Sequence, residues 1–372
     1  MIIQSGILTL LVISLIVFSS LKNDPYLAEW WTLNIGRGYT AFFGTINEKI
    51  PFSITEVIIT LLVIASITLL CQFFIRLKKK RFLRSITKIA TIGIIWCSVL
   101  SIYSLSVEFA YNRYPVQIEI YEDKVQEQYF YEISNYFIED FAYCSEQLEY
   151  NENGDIVMPY DRSKLNIRLQ EEYKKLDSPY YSSYTATIKP MFYSWIYSMF
   201  GISGWYFGPL GEGVVNVDAS NAETPFCYAH EMAHGKGVMR EDDAQMVAAY
   251  ICLNSEDPYL RYSGYLYTYG AALAMATYSD VKGAYNEIVA KVNNNIRGNL
   301  SYISARWKEL GLMNKIGDWI NNLYLQMSGD KDGTGSYEDT KPEFDDTGKV
   351  IALSRYQKLL VQIFVERFHS VN

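Results

Sequence analysis

The chain has 372 residues, enough for one large domain or two ordinary ones. Its formal net charge of -8 at pH 7 argues against a general nucleic-acid binder, because phosphate recognition needs a basic face. Of its five cysteines no two form a Cys-x-x-Cys pair, so neither a cysteine zinc site nor a redox motif is indicated.

In chain order, three stretches are long enough to cross a bilayer, which takes roughly 20 apolar residues per helix. They are Ile2–Leu21, Val57–Ile75 and Ile89–Val107. The first lacks the basic start and small-residue cleavage site of a signal peptide, so it is read as a span. Between the second and third lie Arg76, Lys78, Lys79, Lys80, Arg81, Arg84 and Lys88, the densest basic cluster in the chain. Short loops rich in Lys and Arg stay cytoplasmic. This sets the N-terminus inside, the Lys22–Ser53 loop outside with Trp30-Trp31 at the interface, and everything after Val107 outside. The expected organisation is a membrane anchor over residues 1–108 and an extracytoplasmic domain over 109–372.

Beyond the anchor, helices are expected at Glu119–Glu149 and Ser163–Leu176, and the aromatic run Tyr180–Trp205 reads as packing. Glu212–Ser220 is short and β-branched and predicts a strand. Pro225 opens a helix through Phe226–His234 that Gly235 and Gly237 end. Further helices are expected near Glu241–Asn254, Asp257–Tyr278, Val281–Ile296, Tyr302–Leu323 and Ile351–His369, with a loop at Gly329–Lys349. That loop opens like an EF-hand, but Lys341 stands where a bidentate Glu is required, which excludes calcium binding of that type. Cys144, Cys227 and Cys252 are expected as buried thiols, with a Cys227–Cys252 disulfide the alternative.

The chemistry is concentrated in His230-Glu231-Met232-Ala233-His234. Residues four apart share a helix face, so His230 and His234 can offer two imidazoles to one Zn2+. Glu231, about 100° round the helix, stands beside the metal without binding it and can take a proton from a water that the metal acidifies. Two of the chain's three histidines make this motif. A third ligand is needed, and Arg240 occupies the place where a metzincin would have histidine. The candidate is Glu241, at the start of the next helix, with Asp242 or Asp243 as alternatives. All three are also what a helix N-terminus favours for its dipole. The strand before the motif is expected to be an edge strand that could pair with an extended peptide.

Several pieces taken together resemble a bacterial family. They are the N-terminal spans, Pro209–Gly213, Pro225-Phe226 ahead of the histidines, Arg240-Glu241-Asp242-x-Ala244 and Asp332-Gly333-x-x-Ser336-Tyr337. The family is the membrane-anchored zincin-like one called domain of unknown function 3810, and the resemblance covers nearly the whole chain. It implies a gluzincin-type metallopeptidase with a glutamate third ligand. Asp243 departs from it, standing where the family has a second glutamate, and the Thr340–Lys349 stretch is longer. The resulting expectation is a mainly α protein: three transmembrane helices, then an α+β zincin-like domain with a small sheet. Its function would be hydrolysis of a peptide or protein substrate at the outer face of the lipid bilayer. The alternative is a non-catalytic membrane receptor or scaffold that keeps a metal site.

Overall fold

The computed structural model describes residues 2–117, 127–311 and 313–368. Helix α1 (Ile2–Leu21) is followed by α2 (Pro25–Trp31) and α3 (Arg37–Asn47), joined by a π-helical turn at Thr32–Gly36. The segment expected as a loop is therefore helical. Asp24 starts it, its carboxylate accepting from Tyr26 N at 2.9 Å and Leu27 N at 3.3 Å, with Pro25 in the first turn. Helices α4 (Ile54–Lys78) and α5 (Phe82–Ser106) follow, and with α1 they are, among the described residues, the three helices long and apolar enough to cross a membrane. Both α1 and α4 pack against α5.

One end of these three helices is built into the rest of the chain. Lys22, just past α1, pairs with Glu108. The Trp31 indole donates to Leu105 O, 2.9 Å away, near the end of α5. The N-terminus of α4 receives Glu212, whose carboxylate accepts from Ile54 N at 3.0 Å and Thr55 N at 2.7 Å. Lys189 completes the arrangement at 2.9 Å from Glu212. Burial disfavours the Glu212 charge, but the hydrogen bonds from Thr55 and Lys189 outweigh it and hold the carboxyl below its ordinary value. The basic turn between α4 and α5 lies at the opposite end.

Past Val107, α6 (Glu127–Glu146) is followed by α7 (Arg162–Lys174), capped by Asp161. Next come β1 (Ile188–Pro190), α8 (Ser194–Met199), β2 (Gly204–Phe207) and β3 (Glu212–Val215). The strands form a three-stranded sheet in the order β1-β3-β2, with β1 parallel and β2 antiparallel to β3. The strand expected at Glu212–Ser220 is thus shorter than expected and central, and β2 is an edge. Helices α9 (Thr224–Gly235), α10 (Glu241–Leu253) and α11 (Pro258–Tyr278) form the centre of the core. There α11 packs on α6 through rings such as Phe141 and Tyr262, 5.0 Å apart.

The chain continues through α12 (Ala284–Ala290), α13 (Asn294–Leu310) and α14 (Asn314–Ser328). Gly311 breaks the single helix expected over Tyr302–Leu323 into the last two. A 3-10 turn at Gly333–Tyr337 and the hairpin of β4 (Glu343–Phe344) and β5 (Val350–Ala352) occupy the expected loop and its end, so α15 (Arg355–Phe368) starts later than expected. Expected helical positions 119–126 and His369 lie outside the described residues. The whole is mainly helical with small sheets, and Cys144, Cys227 and Cys252 are buried free thiols.

Candidate metal centre

Every residue of α9 is buried, so this helix is held on all sides rather than on one face. The Tyr173 hydroxyl donates to Ala229 O at 2.5 Å, and the Ser263 hydroxyl accepts from Phe226 N at 3.0 Å. At its C-terminus Gly237 takes φ +87°, which an L side chain rarely adopts. Gly237 N then donates to His234 O at 2.9 Å and Val238 N to Ala233 O at 3.1 Å, the paired bonds of a Schellman ending. This ending also positions a partner for the motif: Val238 O lies 2.8 Å from His234 Nδ1. A proton on Nδ1 would leave Nε2 free to coordinate a metal, the usual way a second partner fixes a ligand tautomer.

His230 and His234 stand one turn apart with ring centroids 4.7 Å apart and planes at 88°. Helix α10 begins after Arg240 and brings Glu241 to both. Glu241 Oε2 is 3.0 Å from His230 Nε2 and 3.5 Å from His234 Nε2. One ligand atom from each of the three residues falls within 4.8 Å of the others, and all three residues are buried. Tetrahedral zinc with bonds of about 2.0–2.1 Å separates its ligand atoms by about 3.3 Å, close to the spacing seen. The donor set, two imidazoles and a carboxylate, also suits zinc.

Asp242 and Asp243 are engaged elsewhere. Asp242 pairs with Arg240 at 2.9 Å and with Arg355, and Asp243 lies 2.8 Å from Arg355. Of the three consecutive acids only Glu241 belongs to the cluster with the histidines.

Glu231 lies beside the cluster, and its Oε2 is buried with no hydrogen-bond partner among the described residues. Two glycines make room for it. A Cβ on Gly204 of β2 would stand 2.3 Å from Glu231 Oε1, and one on Gly213 of β3 would stand 3.3 Å from Glu231 Cβ. Burial raises the Glu231 carboxyl to about 8 against the opposing pull of His234. For Glu241 burial is outweighed by His234 and His230, which lower it to about 2. His234 is the counterpart: burial opposes its charge, but Glu241 and Glu231 raise it to about 9. His230 is lowered, chiefly by burial. Glu241 and His234 thus form a compact ion pair, and Glu231 beside them is an unusually basic carboxyl.

Three contributors were not assigned from the sequence. Gly204 carried no signal inside an aromatic run. Arg355 lies far along the chain. Tyr337, part of the Asp332–Tyr337 piece of the family resemblance, has its ring 6.3 Å from that of His230.

Neither a curated protein nor a solved structure matches the chain. The model of the family described as "Protein of unknown function (DUF3810)" matches residues 34–340, most of the chain including the cluster and its surroundings, and the chain belongs to that family.

Proposed function

We propose that this chain is a membrane-anchored zinc metallopeptidase of zincin-like fold, hydrolysing peptide bonds at the outer face of the membrane. The observation that carries it is the convergence of His230, His234 and Glu241 with the buried, unpartnered carboxylate of Glu231 beside them. Zinc held by these three residues supplies a Lewis acid that makes water nucleophilic near neutral pH. With His230, His234 and Glu241 as the only protein ligands a coordination position would stay open for water, where a structural site is closed by four. To serve as a ligand His234 would lose its Nε2 proton, while its Nδ1–H would keep donating to Val238 O. Glu231, unpaired and strongly basic for a carboxylate, accepts the proton of the attacking water and hands it to the leaving amine. The free edge of β2, next to Glu231, can align an extended peptide by main-chain hydrogen bonds. The outward orientation is supported by the basic turn at the far end of α4 and α5.

The test is zinc content and peptide-library cleavage by the wild type, Glu231→Gln and Glu241→Gln, with His230→Ala/His234→Ala as the zinc-free control. Glu231→Gln should keep about one zinc and lose hydrolysis by about 10²–10⁴-fold. Glu241→Gln should lose zinc as well as activity. Equal zinc in the wild type and the double-histidine variant removes the metal assignment. A wild type that holds zinc, cleaves nothing and shows no cellular effect of Glu231→Gln is instead the receptor or scaffold.

A further inference from the structure

Helix α14 presents an apolar face that no other part of the described chain covers. Ile316, Trp319, Ile320, Leu323 and Met327 recur at helical spacing and, at 100° per residue, fall within an arc of about 100°. All are exposed, Trp319 at 66% and Met327 at 70%. The opposite side, with Gly317, Leu325 and Ser328, is buried. Lys315, Asp318, Asn322 and Gln326 make a polar strip between the two.

The anchors of the helix fix where this apolar face lies. At its C-terminal end, Lys22 at the end of α1 donates to Met327 O at 2.7 Å and Ser328 O at 3.3 Å. Tyr324 hydrogen-bonds Tyr103, which belongs to α5 itself. At the N-terminal end, Met313 N donates to Met199 O at 2.7 Å, and Gly317 lies against Phe200 O, both at the end of α8. The start of α8 is tied to α4, the Tyr193 hydroxyl lying 3.2 Å from the Thr60 hydroxyl. Thr60 is six residues inside α4, about 9 Å along its axis. The C-terminal end of α14 is therefore pinned at the level where the apolar spans end, and its N-terminal end, about 22 Å away, is pinned to the short helix α8, whose start touches α4.

We propose that α14 is an in-plane amphipathic helix whose exposed apolar arc is buried in the outer part of the lipid bilayer. Such a helix lies at the boundary between headgroups and acyl chains with its polar residues toward water. The arc ends at Met327, whose backbone is bonded to Lys22 at the end of the α1 span, and a soluble face of this kind otherwise marks a binding site. The side of α14 away from the arc faces the candidate site: Asn322 Oδ1 accepts from Thr334 N at 3.1 Å, in the turn whose Tyr337 ring lies 6.3 Å from that of His230. The candidate cluster then lies on the far side of α14 from lipid, separated from it by the helix, about 10 Å across, and by the Tyr337 ring, 6.3 Å from that of His230. This last step rests on the peptidase reading: the substrate class becomes chains emerging from the bilayer, cut in the segment next to the membrane.

The full chain in liposomes, as wild type and as Trp319→Phe, tests the position of α14 without any activity, so its failure is distinct from that of the peptidase reading. The difference in tryptophan emission between the two reports Trp319 alone. Lipids brominated in the upper acyl chain should quench this difference by more than half, and aqueous acrylamide should leave it nearly intact. Met327→Trp in the Trp319→Phe background should give the same result from a second point on the arc. Quenching by acrylamide and not by brominated lipid overturns the proposal. Quenching by neither also overturns it, assigning the face to a protein partner such as a second copy of the chain.

Discussion

Gly204→Ala tests whether the place of Glu231, and not merely its presence, sets the rate. The added methyl would stand 2.3 Å from Glu231 Oε1, where ordinary contact begins at 3.4 Å, so a carboxylate that stays in place is too close by 1.1 Å. Retreat toward the sheet is limited, because Glu231 Cβ already lies against Gly213. The carboxylate must swing aside by about 1 Å, a displacement that can cost about 10²-fold in rate. The backbone of Gly204 is not in the left-handed region, so alanine should fold there, and its smaller unfolded-state freedom partly offsets the clash. The three nearest atoms the methyl would meet all belong to Glu231, so zinc should be retained. The assay is kcat on a peptide that the wild type cleaves, with zinc per chain and melting temperature measured in parallel. An alanine variant with full zinc and an undiminished kcat would falsify the role given to Glu231. A variant that loses its zinc would show that the methyl disturbs the ligands instead.

Two further outcomes are expected. A reporter fused near Lys80 should be cytoplasmic and one fused after Phe368 extracytoplasmic, and the reverse pattern would place the metal site inside the cell. Burial raises the Glu223 carboxyl from 4.5 to about 7, although both its oxygens accept from the Trp307 indole at 3.0 Å. Below the unfolded value both states are neutral there. As pH rises from 4.5 to 7 only the unfolded state ionises, so stability falls, by up to about 3 kcal/mol above pH 7. Glu223→Gln should therefore melt higher than the wild type at pH 8 and the same at pH 4. Equal melting at both values would show that the carboxyl ionises normally in the folded chain.

The spans were legible because one signal, a long apolar run, decides them. The helices between the first two were hidden for the opposite reason. The residues they bury, Ala28, Thr32, Gly36, Thr40, Gly44 and Asn47, recur at nearly constant helical spacing but are small or polar. Hydropathy does not register such a stripe, whose use is close approach. A Cβ on Gly44 would collide with the Tyr184 ring, and one on Gly211, at φ +58°, would stand 2.4 Å from Thr40 O. The sheet was half legible: β3 has the β-branched pair Val214-Val215. Strand β2, Gly-Trp-Tyr-Phe, lay inside an aromatic run where packing and pairing look alike.

The site divides along the same line between local and distant causes. The His230–His234 pair and the place of Glu231 follow from helix geometry within five residues, and the sequence suffices. The third member of the cluster does not, because Glu241, Asp242 and Asp243 point in directions about 100° apart on one helical turn, and nothing local says which faces α9. Which acid turns to the histidines is decided by cations. Arg240 on one side and Arg355, 112 residues beyond Asp243, engage the two aspartates. Three buried or half-buried carboxylates against two guanidiniums leave one negative charge, and that charge is turned to the histidine pair. A buried carboxylate is costly unless paired, so the arginines do more than stabilise α10. By occupying Asp242 and Asp243 they leave Glu241 as the acid of this turn that is free to bind metal.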